Sequence, residues 1–188
     1  MPAIKISNLV VQYPPHKNPC VALDNLNVEF LNGKVNVILG PSGCGKTTLL
    51  KAIAGVVDSS NGQIIFDDID ASCLSIKNRN VAYVNQDSAI YPHMTVFNNI
   101  AYPLTFTNAS LDEIKKRVYE VAELLQISHL LMRKPRQISI GQAQRVALAK
   151  ALIKKPLIYL FDEPFSNLDP SITFDLIVLL KKIFQNTN

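Results

Sequence analysis

The chain has 188 residues, 48% of them hydrophobic, which suits one domain, or one core with a small appended subdomain, and is long enough to bury a sizeable apolar interior. Its net charge of +4 comes from scattered Lys and Arg rather than a block, so the electrostatic case for nucleic acid is weak. Cys20, Cys44 and Cys73 lack CxxC spacing, which argues against a disulfide framework or a zinc site and fits a reducing cytosol. The N-terminus lacks the charged start and long apolar stretch of a signal peptide, and no apolar run approaches the ~20 residues that span a bilayer.

In chain order, residues 4–12 and 26–30 read as strands of a small sheet, separated by a loop marked by Pro14, Pro15 and Pro19. Val35 to Leu39 reads as a short apolar strand entering a glycine-rich turn, with a helix over Lys46 to Ala54. Ile64 to Phe66 and Val81 to Val84 are further short strands. Ser110 and Glu113 form a capping-box pattern before a helix whose core face carries Leu111, Ile114, Val118, Val121 and Leu125. The continuous apolar run Leu157 to Phe161 suits a parallel strand buried on both faces. A last helix starts near Pro170, with Asp169 as candidate N-cap, and runs toward Phe184. Alternating strands and helices imply an α/β fold with a mainly parallel sheet.

Gly40, Pro41, Ser42, Gly43, Cys44, Gly45, Lys46 and Thr47 fit GxxxxGK[ST], a phosphate-binding P-loop. Its glycines let backbone N–H groups curl around phosphate oxygens, Lys46 neutralises their charge, and the positive end of the next helix points at the same group. Thr47 offers a hydroxyl to Mg²⁺, and Thr48 adds a phosphate contact. The run Leu157 to Phe161 delivers Asp162 and Glu163 at its C-terminal end, where open α/β sheets hold their ligands. Asp162 suits Mg²⁺ as a hard oxygen ligand, directly or through water, and Glu163 suits the general base that deprotonates the attacking water.

The segment from Ile138 to Ala149, carrying Ser139, Gly141 and Gln142, resembles the LSGGQ signature of ATP-binding cassette (ABC) ATPases together with its following helix. In family order, Tyr13 matches the aromatic adenine-stacking position, Gln86 the glutamine loop, and Ser166 to Asp169 the segment after the acid pair. The resemblance implies a P-loop NTPase fold with a RecA-like parallel-sheet core, a small N-terminal antiparallel β subdomain, and an inserted helical subdomain over about 88–152 within a domain spanning 1–188. It implies ATP and Mg²⁺ as cofactors, with Lys46, Gln86 and Glu163 catalytic and Thr47, Gln86 and Asp162 around the metal. The family sets the signature of one chain over the P-loop of another, so two ATP molecules lie in a head-to-tail dimer with Asp169 near the junction. Homodimer and heterodimer with a second ATP-binding subunit both remain open.

Residues 88–104, the helix after them and the stretch from His129 to Ser139 are similar to ATPases of maltose-type carbohydrate importers. That likeness implies a cytoplasmic subunit, peripheral on the inner face of the membrane. It works with transmembrane permease subunits and, indirectly, a solute-binding protein; Tyr91, His93, Met94 and Val96 are candidates for permease contact. Two features depart from the family pattern. Ile140 replaces the first Gly of the signature pair, and His16, His93 and His129 all precede the acid pair, whereas the family sets a γ-phosphate histidine on a further strand after the final helix. The expectation is a fragment or truncated product lacking the last core strand. A nucleotide-binding module without hydrolysis is the alternative function, and a soluble ABC ATPase serving DNA repair or ribosomes a more distant one.

Overall fold

The computed structural model describes residues 2–14, 20–85, 90–166 and 168–185. Contacts divide the chain into two units, Met1–Tyr83 with Leu157–Asp162, and Val84–Pro156 with Glu163–Asn188.

The first unit holds an antiparallel sheet in the order β2-β1-β3-β4, from β1 (Ile4–Tyr13), β2 (Cys20–Phe30), β3 (Asn61–Phe66) and β4 (Ile69–Asp70). In β1 the buried side chains change phase, from Ile4 and Ile6 to Leu9 and Val11. A regular strand would turn the second pair to solvent. Asn8 absorbs the slip in a left-handed conformation (φ 51°), where the register with both neighbours shifts. Opposite it, Gly62 (φ 85°) leaves room that a Cβ would lack, since that atom would lie 2.3 Å from the Asn8 carbonyl oxygen.

Against this sheet packs α1 (Lys46–Ala54), whose Leu49, Leu50, Ala52 and Ile53 join Ile6, Leu9 and Val11 in the core. Its C-terminus closes on Gly55 in the left-handed region, and the Arg79 guanidinium donates to the Ala52 and Ile53 carbonyls at 2.8 and 3.0 Å. Strand β5 (Val81–Val84) pairs with β6 (Ile158–Phe161), and Ile158 and Leu160 reach the same core.

Three expectations need correction here. Val35 to Leu39 has no ladder among the described residues, and Val35, Val37 and Leu39 are 78%, 72% and 88% exposed, with only Ile38 packed on the core. A strand exists only with a hydrogen-bonded neighbour, and none of the described strands pairs with this run. The run expected to be buried on both faces is fully buried only at Ile158 and Leu160, and Leu157 is exposed. The first strands are also longer than predicted: β1 reaches Tyr13 and β2 begins at Cys20.

The second unit is helical: α2 (Val96–Ala101), α3 (Leu111–Leu124), α4 (Ile140–Leu152) and α5 (Pro170–Gln185). Helix α2, missed by sequence reading because it is a single short stretch, packs on α3 and α4 and buries Val96 and Ile100 completely. On α3, Ile114, Val118 and Val121 face the core, as does Leu125 just beyond it, but Leu111 is exposed in the first turn. The Ser110–Glu113 capping box is half formed. Ser110 accepts from the Glu113 N–H at 3.2 Å, while the Glu113 carboxylate pairs with Arg117 one turn on. Cys20, Cys44 and Cys73 are all free thiols, and no helix among the described residues is long and apolar enough to cross a membrane.

Candidate functional site

The loop of Gly40 to Gly45 leads into α1 by way of Gly45, which sits at φ 94° as the N-cap. An alanine Cβ there would meet the Ala22 carbonyl oxygen at 2.7 Å and Leu23 Cδ2 at 2.9 Å, so both conformation and space demand glycine. No side chain caps α1, and its first turn carries no acidic residue, an arrangement that suits an anion at the N–H groups of that turn. The Lys46 ammonium donates to the Gly40 and Pro41 carbonyls, each at 2.9 Å, so the positive charge is held over the loop.

Thr47 and Asp162 lie 115 positions apart in sequence, yet the Thr47 hydroxyl donates to Asp162 Oδ1 at 3.0 Å. On the other carboxylate oxygen, the Tyr83 hydroxyl donates to Oδ2 at 2.9 Å. Asp162 is 5% exposed, so its two oxygens are held by two named donors rather than by bulk water. Burial first, and then the bond to Asp162, raises the Tyr83 phenol far above its ordinary range and keeps it a donor. Next to Thr47, the buried Thr48 hydroxyl shares a hydrogen bond of 3.3 Å with the Tyr13 hydroxyl, which brings that aromatic ring to the first turn of α1.

These residues fit a phosphate group with a divalent cation. An open helix N-terminus and an ammonium suit the anion, and the Thr47 hydroxyl and Asp162 carboxylate would offer two hard oxygens to the cation. Among the described residues, no group of three or more His, Cys, Asp or Glu side chains could hold a metal ion. Gln86, expected at the metal and in catalysis, lies outside the described residues, as does His16.

In the second unit, α4 starts with a complete capping box. Ser139 Oγ accepts from the Gln142 N–H at 3.3 Å, and Gln142 Oε1 accepts from the Ser139 N–H at 3.0 Å. Ile140 follows it, 68% exposed. Gly141 is buried, and a Cβ there would come within 3.4 Å of Ile172 Cδ1, so the helix approaches α5 closely. Glu163 is exposed and left-handed (φ 46°), and the Ser166 N–H and hydroxyl both donate to its carbonyl, at 3.2 and 3.1 Å. Gln144, 4% exposed, donates to the Pro164 carbonyl at 2.6 Å and so ties that turn to α4. The Asp169 carbonyl accepts from the Thr173 N–H at 2.9 Å, the first bond of α5.

Among the four residues expected to meet a permease, Val96 is wholly buried and packs inward, because it opens the core face of α2. Tyr91 is half-buried. It lies edge-on to Tyr102 at 4.8 Å with the Lys150 ammonium 3.8 Å from its ring centre, and burial lowers the pKa of that ammonium. Met94 is half-buried and His93 is exposed. Sequence reading missed the residue that shapes this loop. Asn99, fully buried, accepts from the Tyr91 N–H at 2.6 Å and donates to the Tyr91 and Thr95 carbonyls, each at 3.0 Å. It missed Tyr83 and Gln144 too, and the available hint at Tyr83 was a phenol in an otherwise aliphatic strand.

The α1 loop, with Asp162 at the end of β6, defines a P-loop nucleotide-binding protein of the α/β class. Residues 23–166 match the ABC transporter family, and the chain belongs to that family. It is 41% identical over 183 residues to an sn-glycerol-3-phosphate import ATP-binding protein of Psychromonas ingrahamii, covering 97% of this chain and 48% of that protein. It is 46% identical over 168 residues to a trehalose/maltose import ATP-binding protein of Thermococcus litoralis, covering 86% and 45%. A glucose import ATP-binding protein of Saccharolobus solfataricus is 48% identical over 172 residues, covering 89% and 49%. The chain thus spans about half the length of the curated relatives it matches. Among solved structures, it resembles an ATP-binding cassette captured as a dimer in a post-hydrolysis state with ADP and Pi. The TM-score is 0.88 at 30% identity, covering 97% of this chain and 83% of that one.

Proposed function

We propose that the chain is the nucleotide-binding part of an importer ATPase that binds MgATP in its P-loop and hydrolyses it in a head-to-tail dimer. The observation that carries this reading is the Thr47–Asp162 hydrogen bond, which joins the P-loop helix to the acid at the end of β6 beside an uncapped helix N-terminus. In this reading Gly40 to Thr48 hold the phosphates, Tyr13 stacks on adenine, and Thr47, Asp162 and Gln86 surround Mg²⁺. The metal, when bound, offsets phosphate charge. Lys46 stabilises charge developing on the transferred phosphoryl, and Glu163 takes the proton of the attacking water. Ser139, Gly141 and Gln142 serve the ATP of a second copy or of a related chain, with Asp169 near the junction. The domain spans 1–188 with a helical subdomain over about 88–152.

The relatives' names support an import role, with a carbohydrate or related solute as cargo. Transmembrane permease subunits are then the direct partners, a solute-binding protein an indirect one, and the cytoplasmic face of the membrane the location. A second reading, nucleotide binding without turnover, is favoured by the exposed run Val35 to Leu39, which enters the P-loop with no ladder among the described residues. One experiment separates the two: nucleotide binding and phosphate release by the chain over a range of protein concentrations. Mg²⁺-dependent ATP binding, with release per chain that rises with concentration and is lost in Glu163→Gln, is the expected result. Binding without release selects the second reading, and no ATP binding at all rejects both.

A further inference from the structure

The Asp162 carboxylate is almost fully buried and takes one hydrogen bond on each oxygen, from Thr47 and from Tyr83. The two donors do different work. By giving its proton to Oδ1, Thr47 leaves only lone pairs free on its own oxygen, which is the state a hydroxyl needs to act as a ligand. That state lasts only while Asp162 keeps Oδ1 on Thr47, and a carboxylate is free to turn about its last bond unless its second oxygen is also held. Tyr83 holds it. Its ring sits on β5 and packs against the core, so the phenol is a fixed donor rather than a mobile one.

We propose that Tyr83 is a positioning residue for cation-dependent nucleotide binding: by anchoring Asp162 Oδ2 it fixes Oδ1 on Thr47 and so keeps the Thr47 oxygen set to receive the divalent cation. The inference rests on the MgATP reading above and goes beyond it, because Tyr83 touches neither nucleotide nor cation in that scheme. It makes the aromatic residue of β5, rather than an acid or a loop residue, the element that sets the metal requirement.

The test uses the full chain and a fluorescent ATP analogue, with affinity measured in EDTA and across a Mg²⁺ titration. In Tyr83→Phe the affinity in EDTA stays within about twofold of the parent, while the Mg²⁺ concentration for half-maximal tightening rises about tenfold, as expected for one hydrogen bond to a charged group. Tyr83→Gln, which keeps a donor but loses the ring, falls between the two. Equal losses in EDTA and in Mg²⁺ would mean a purely structural role and overturn the proposal, as would an unchanged or lower Mg²⁺ half-point in Tyr83→Phe. So would the reverse order, with Phe matching the parent and Gln impaired, because packing rather than the hydroxyl would then matter. If the parent chain itself binds the analogue without regard to Mg²⁺, the MgATP reading falls. If the parent is Mg²⁺-dependent and both variants match it, only the role of Tyr83 falls.

Discussion

Two helix N-termini in this protein are candidates for phosphate, and they are built in opposite ways. Helix α1 begins on Gly45, left-handed and without a side-chain cap, under a lysine that leans over the loop. Helix α4 begins on Ser139, whose hydroxyl and backbone N–H are both engaged by Gln142 in a closed box. An uncapped start leaves its N–H groups for a ligand and depends on that ligand, or on water, to satisfy them. A capped start is satisfied from within, so it stabilises the helix first and meets an anion only at its margin. In the proposed reading, the α1 terminus holds the nucleotide of its own chain. The α4 terminus, closed by its own capping box, serves in that reading the nucleotide of a second chain.

The contrast can be broken by substitution. Lys46→Ala has the largest expected effect, weakening ATP binding by roughly 10- to 100-fold, the range for losing a charge-assisted hydrogen bond. Calorimetric titration checks it, and an unchanged affinity would remove α1 as the nucleotide site. Gly45→Ala comes next. A Cβ at φ 94°, 2.7 Å from a backbone carbonyl, is expected to cost about 2 kcal/mol of stability in chemical unfolding and to impair ATP binding as well. Ser139→Ala has the smallest effect, about 1 kcal/mol of stability from the lost cap. Monomeric affinity for ATP should stay within about twofold, so a large loss of affinity in the monomer would show that α4 serves its own chain's nucleotide after all.

A second pair of segments shows where sequence stops being sufficient. Val35 to Leu39 and Leu157 to Phe161 look alike as short, β-rich apolar runs, and each leads directly into residues of the proposed site. Only the second becomes a strand among the described residues, because β5 lies beside it, while the first keeps three large side chains in solvent. Local composition describes what a segment is suited to, and its hydrogen-bonding neighbour settles whether the ladder forms. The Ser110 box behaves similarly: the pattern fixed where α3 starts, but Arg117 competed for the Glu113 carboxylate.

The sequence by itself displayed the P-loop pattern, the acid pair and the signature-like segment, and it marked the starts of α1, α3 and α5. Each is written in a few adjacent residues whose chemistry acts at short range: glycine conformation, capping side chains, and the spacing of apolar residues. Only the tertiary structure decided that Asp162 meets Thr47 and Tyr83, that Asn99 holds the Tyr91 loop, and that Val96 turns inward. Those facts depend on which distant segments share one buried space, where a polar group must find whatever partner the packing brings to it. No spacing along the chain encodes that choice of partner.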